Sequence, residues 1–165
     1  MKAIGAGLAV VAAMTLSACE KPKFRSYDGP EVTQILVLKD KRTMYLLNGN
    51  RPLKTYEVAL GGDPVGDKKI EGDMKTPEGA YVINRRNPNS AYHLSLGISY
   101  PNARDVEEAK ALGKPPGGDI FIHGRAGKNR GTSPDWTAGC IAVTDDEIEE
   151  VYSMVRTGTP IYIAP

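Results

Sequence analysis

The apolar positions of this chain fall into short alternating runs separated by polar turns. Gln34–Leu38 (QILVL) and residues 43–47 (TMYLL) are β-type runs, and the polar Lys39-Asp40-Lys41-Arg42 between them predicts a hairpin. Asn48-Gly49-Asn50 is the next turn, and residues 54–60 (KTYEVAL) give a third strand. Residues 61–77 are rich in Gly, Asp and Pro and read as a loop. Residues 79–84 (GAYVIN) form a further strand and residues 92–96 another. Residues 103–112 (ARDVEEAKAL) are a helix candidate closed by Gly113, which suits a left-handed C-cap. The Lys114-Pro115-Pro116-Gly117-Gly118 break precedes a strand over 119–122, with His123 at its end. A glycine-bearing loop over 124–139 leads to the strand 140–143. Thr144 and Glu147 make a capping-box pattern that opens a helix to about Arg156, and residues 161–163 are a final strand. The expected class is mainly β with two short helices.

The first eighteen residues follow a different pattern. Met1-Lys2 is a short positive start, and residues 3–18 (AIGAGLAVVAAMTLSA) are apolar, small and uncharged. That stretch is shorter than the roughly 20 residues a bilayer-spanning helix needs, so it reads as a secretory signal. Leu16-Ser17-Ala18-Cys19 is similar to the lipobox of bacterial lipoproteins, whose cysteine is lipidated and becomes the mature N-terminus. Ordinary signal cleavage beside an incidental cysteine is the alternative. Residues 20–29 (EKPKFRSYDG) are polar and aperiodic, as a tether would be. The expected organisation is therefore a signal peptide over 1–18, a lipidated N-terminus and tether over 19–32, and a globular domain over 33–165. On this reading the protein is exported and held on a membrane by its N-terminal lipid, facing the periplasm or cell wall. Glu20 stands after the cysteine in place of Asp, which favours the outer membrane for a Gram-negative source.

Composition narrows the chemistry. Cleavage before Cys19 leaves 147 of 165 residues (165 − 18), enough for a single core burying about two-thirds of the chain surface. Loss of Lys2 lowers the basic count from 21 to 20, against 20 acidic residues, so the mature net charge is zero. A neutral chain offers no electrostatic case for nucleic-acid binding. There are two histidines, His93 and His123, and two cysteines, one of which lipidation would consume. A zinc site of three or four His/Cys ligands cannot be assembled from these, so no metal is expected. Residues 61–68 (GGDPVGDK) lack the Gly-Lys-Ser/Thr of a phosphate-binding loop. Cys140 is left without an intramolecular partner in an oxidising compartment, where an unpaired thiol is a liability unless it is used.

Cysteine and histidine remain. His123 and Cys140 lie 17 positions apart (140 − 123), each at the edge of an expected strand. Adjacent strands would bring imidazole and thiol together, and the imidazole would favour the reactive thiolate. Gly139 permits close backbone approach, and the Cys140 N–H is a natural oxyanion donor. A buried, inert cysteine is the competing reading of the same residues.

The surrounding motifs bear on that choice. Ile120-Phe121-Ile122-His123-Gly124, followed by Thr137-Ala138-Gly139-Cys140-Ile141, resembles the YkuD-type L,D-transpeptidase catalytic domain. Residues 75–83 (KTPEGAYVI) are similar to that family's Thr-Pro-x-Gly-x-Tyr/Phe-x-Ile segment, and residues 36–46 to its first hairpin. The resemblance implies a β-sandwich with Cys140 as nucleophile and His123 as general base. It also implies that the Gly124 carbonyl orients the imidazole, and that no cofactor is required. Thr137 and Gly139 match the positions before the nucleophile. Two departures stand out. Most of the family carries His where Ala138 stands, and an Arg expected to help bind substrate where Ala142 stands. The Trp-Thr-x-Gly-Cys-Ile-Ala-Val pattern of residues 136–143 instead resembles a divergent branch that includes murein-directed hydrolases as well as transpeptidases.

The implied substrates are peptidoglycan stem peptides containing diaminopimelate, processed through a thioester. Transfer to an amine and hydrolysis of the same linkage both stay open, as does a non-catalytic wall-binding lipoprotein. Candidates for substrate binding are Arg130 and Arg125 in the basic loop that also holds Lys128, together with Trp136, Thr137 and Tyr100. A tethered monomer is the expected state.

Overall fold

The computed structural model describes residues 22–127 and 134–165, so the leader, Cys19, Lys128 and Arg130 lie outside the described residues. The elements are β1 (Gln34–Leu38), β2 (Thr43–Asn48), β3 (Arg51–Glu57), β4 (Gly79–Ser90), β5 (His93–Ile98), α1 (Ala103–Ala111), β6 (Phe121–His123), β7 (Ile141–Ala142), α2 (Asp145–Met154) and β8 (Pro160–Ala164). The strands hydrogen-bond as one sheet in the order β3-β2-β1-β8-β4-β5-β6-β7. β4 is the seam. Its residues 79–82 pair antiparallel with β8, and its later residues pair with β5. A strand of 12 residues shared by both halves lets the sheet curl on itself, and the mainly β, sandwich-like fold expected from the sequence takes this form.

Period-2 alternation drives the assembly. Ile35 and Val37 of β1, Met44 and Leu46 of β2, and Ile161 and Ile163 of β8 all turn inward and are almost completely buried. Each such side chain contributes roughly 1.5–3 kcal/mol relative to exposure. Both helices begin with a capping box, Thr144 with Glu147 on α2 and Asn102 with Asp105 on α1. α2 lies against β5 and β6, burying Ile148 and Val151.

The boundaries differ from expectation where pairing is long-range. β3 covers 51–57 rather than 54–60, because Ala59 leaves the hairpin to pair with Ala142, N–H to O at 2.8 Å in both directions. β4 continues through Arg85-Arg86-Asn87-Pro88-Asn89-Ser90, six residues beyond its apolar alternation. None of those side chains is buried and Pro88 argues against a strand, so only pairing with β5 reveals it. α2 ends at Met154, two residues short of Arg156.

Candidate active site

β6 and β7 run parallel, with Ile122 opposite Ile141 and His123 opposite Ala142. Ile122 and Ile141 are fully buried in the core. Phe121, His123 and Cys140, at alternating positions, therefore turn to the opposite face. Cys140 stands two residues before Ala142, which makes thiol and imidazole diagonal neighbours, roughly 7–8 Å apart at the backbone and within side-chain reach. The Cys140 Sγ lies over the start of β6, donating to the Asp119 carbonyl at 3.5 Å while the Phe121 N–H points at it.

Several groups hold the imidazole. His123 Nδ1 is 2.6 Å from the Gly124 carbonyl oxygen. A carbonyl only accepts, so Nδ1 carries a proton, and in the neutral imidazole Nε2 is then the basic nitrogen. The Tyr92 ring stacks on the imidazole at 4.4 Å between centroids, and Trp136 meets it edge-on at 5.8 Å. Gly124 is tightly enclosed: a Cβ there would lie 2.5 Å from Asp145 Oδ1 and 2.8 Å from the Tyr92 carbonyl oxygen. Asp145, at the start of α2, accepts the N–H groups of Arg125 (2.6 Å), Ala126 (2.9 Å) and Gly127 (2.6 Å). Burial pushes this carboxyl up, but those three donors outweigh burial and hold it below its ordinary value.

The cysteine loop is fixed from behind. Thr137 is buried, its hydroxyl donating to the Cys140 carbonyl at 2.7 Å and accepting from the Gly139 N–H at 3.1 Å. That commitment makes Thr137 a positioning residue. The Thr137 N–H donates to the Leu60 carbonyl at 3.1 Å, and the Thr137 carbonyl accepts from the Gly62 N–H at 3.0 Å. Gly61 in turn donates to Thr76 Oγ1 at 3.0 Å, so the Lys75-Thr76-Pro77 segment buttresses the loop. Gly139 has φ +129°, and a Cβ there would lie 2.6 Å from the Lys75 carbonyl oxygen.

Burial pushes the Cys140 thiol above its ordinary value, and the carboxylate of Asp119 adds to this; the Phe121 N–H and Lys68 offset it only in part. The thiolate is therefore disfavoured in the resting site, where a neighbouring base would assist attack. Among the described residues, no group of three or more His, Cys, Asp or Glu is placed to hold a metal ion.

The remaining candidates are distributed unevenly. Trp136 is half-buried beside His123, with its indole Nε1 enclosed and lacking a hydrogen-bond partner among the described residues. Tyr100 is buried, and its hydroxyl donates to the Pro116 carbonyl at 2.9 Å, so that group is committed to the fold rather than to a ligand. Arg125 lines a cavity of about 260 Å³ with Glu57, Ala59, Thr144 and Glu147, and neither His123 nor Cys140 borders it. Ala138 is exposed, whereas Ala142 is fully buried against Ala59. Sequence reasoning missed Tyr92 and Asp145. Tyr92 precedes β5, and only the pairing of Ser95 with His123 brings it to the imidazole.

Fold and site together define a class. Residues 33–163 match the L,D-transpeptidase catalytic domain, YkuD, and the chain belongs to that family. YafK of Escherichia coli (strain K12), provisionally named an L,D-transpeptidase, is 31% identical over 137 residues, covering 79% of this chain and 50% of that protein. The similarly named YkuD of Bacillus licheniformis is 28% identical over 137 residues, covering 80% and 66%. Among solved structures, the helical cell shape determining protein Pgp2 from Campylobacter jejuni superposes with a TM-score of 0.64 at 29% identity, covering 83% of this chain and 49% of that one. Mycobacterium tuberculosis L,D-transpeptidase 1, at 13% identity and a TM-score of 0.53, covering 82% and 62%, shares the fold. The chain thus spans about half the length of the Escherichia coli relative and of Pgp2.

Proposed function

We propose that this protein is a peptidoglycan-modifying cysteine L,D-transpeptidase that acts on diaminopimelate-containing stem peptides. The observation carrying this reading is the His123 imidazole, anchored through Nδ1 on the Gly124 carbonyl and set on the strand position whose face also holds Cys140. Nε2 takes the thiol proton as Sγ attacks the carbonyl carbon at the L-centre of diaminopimelate. The Cys140 N–H stabilises the oxyanion. The C–N bond then breaks, the departing amine takes the proton from the imidazolium, and a thioester remains. An amine acceptor gives up a proton to Nε2 and displaces the sulfur, forming a crosslink; water in the same role gives a hydrolysed stem. Hydrolysis is the second reading, because residues 136–143, with Ala138 and Ala142, resemble a branch that includes murein-directed hydrolases.

Incubation with a carbapenem, read by intact mass, should give a single covalent adduct that disappears in Cys140→Ala. A native protein that forms no adduct would leave the non-catalytic wall-binding reading standing. Digestion of purified peptidoglycan then separates the outcomes, since new L,D-crosslinks exclude a purely hydrolytic enzyme. The same proposal places the chain on a membrane through lipidated Cys19. Cys19→Ser should move it from the membrane fraction to the soluble one, and an unchanged distribution would defeat the anchor.

A further inference from the structure

Ala142, where the resemblance implies a substrate-binding arginine, is a buried alanine, so a charge that meets the substrate has to come from another position. One row across the sheet supplies a candidate. Arg85 on β4 pairs with Gly97 on β5, and Gly97 pairs with Phe121 on β6. The next position in that row, one residue back from the Ile122–Ile141 pair, is Cys140. Cross-strand partners share a face, so Arg85, Phe121 and Cys140 all point the same way. Gly97 is what lets Arg85 cross β5. A Cβ on it would lie 2.8 Å from Asn84 Oδ1, 3.1 Å from Arg85 Cβ and 3.5 Å from Arg85 Nε. The guanidinium accordingly lies over the Phe121 ring, 4.8 Å from its centroid. Its NH2 group is 3.2 Å from Asp119 Oδ1, and the two side chains are 57% and 86% exposed. Asp119 is also the residue whose carbonyl accepts the Cys140 thiol. Arg85 and Asp119 border a cleft of about 290 Å³ together with Asn84, Ile98, Tyr100 and Ile120, beside the strand position of Phe121 rather than over Cys140 itself. Lys68, a cation whose field reaches Cys140, is buried and already engaged by Asp73 and the Ile70 carbonyl.

We propose that Arg85 and Asp119 form the subsite for the D-centre of diaminopimelate, Arg85 taking its carboxylate and Asp119 its ammonium. This deepens the stem-peptide reading and rests on it. The D-centre carries one negative and one positive group on a single carbon, and the Arg85–Asp119 pair presents the complementary charges side by side. An exposed ion pair is held weakly, so a zwitterionic ligand can exchange into it. The span also fits. The L- and D-centres are four bonds apart, about 5 Å, and β6 stands one strand spacing, about 4.8 Å, from Cys140.

The test compares two tetrapeptides, one with diaminopimelate and one with lysine, which keeps the amine but lacks the D-centre carboxylate. Wild type should show a KM for the lysine peptide about ten- to hundredfold higher. Arg85→Ala should raise KM for the diaminopimelate peptide by a similar factor, leave kcat nearly unchanged, and abolish the discrimination. Arg85→Lys should restore part of it, and Asp119→Asn should raise KM for both peptides. Alkylation of Cys140 by iodoacetamide should be unaffected in Arg85→Ala. Unchanged discrimination in Arg85→Ala, with an active wild type, overturns the subsite alone. A wild type that processes neither peptide overturns the stem-peptide reading and the subsite with it.

Discussion

Gly139→Ala is expected to leave a folded protein whose cysteine reacts with a carbapenem at least about 100-fold more slowly. The residue sits at φ +129°, where L-residues rarely go, and its added Cβ would meet the Lys75 carbonyl oxygen at 2.6 Å. That oxygen belongs to backbone and cannot swing aside as a side chain would. Strain of this kind costs about 1–3 kcal/mol. It is relieved only by pushing the cysteine loop off the segment that supports it. The Sγ then moves relative to the imidazole, and a displacement of about 1 Å costs roughly 10²-fold. Circular dichroism and the melting temperature report the fold, while stopped-flow acylation reports the site. A variant that acylates at the wild-type rate would show that the loop tolerates the Cβ and that the close approach to Lys75 has no bearing on the nucleophile.

Removing the base should have an effect of comparable size, with a dependence on pH that identifies its origin. His123→Ala is expected to slow acylation of Cys140 by about 10²–10⁴-fold near neutral pH. Burial disfavours the thiolate, so the thiol's pKa lies above its ordinary value and the thiolate fraction at neutral pH is small. Without the imidazole, reaction draws on that fraction alone. The residual rate should therefore climb about tenfold per pH unit until the raised value is passed, and the deficit against wild type should shrink as pH rises. His123→Gln, which fills much of the space beneath Tyr92 and Trp136, separates loss of the base from loss of packing. A residual rate independent of pH, or a wild-type rate at neutral pH, would remove His123 from the proton transfer.

The parts of the fold legible in the sequence are those written in local contacts. The β1–β2 hairpin follows from two alternating runs around a polar turn, and the start of α2 from the Thr144/Glu147 box. The parts missed depend on a distant partner. Residues 58–60 look like the end of β3, yet Ala59 pairs with Ala142, far along the chain. The polar half of β4 has no buried face to signal it, and β5 alone makes it a strand. Tyr100, a candidate by motif, has its hydroxyl bonded to the Pro116 carbonyl and its ring against Tyr81, while it lines the cleft of Arg85 and Asp119. Asp145, read only as part of a helix start, proves to clamp the three residues after Gly124 because α2 begins directly behind them.

By itself, the sequence determined the strand-forming runs, the two helices and the residue types able to do nucleophilic chemistry. Periodicity, caps and the order His-Gly then Thr-x-Gly-Cys are properties of neighbours along the chain. Only the tertiary structure decided how those residues meet. The parallel register of β6 and β7 puts His123 and Cys140 on one face, and the row Arg85–Gly97–Phe121 brings a cation from β4 over the Phe121 ring. Strand order and register are set by which apolar faces must share one core, a choice that local patterning leaves open.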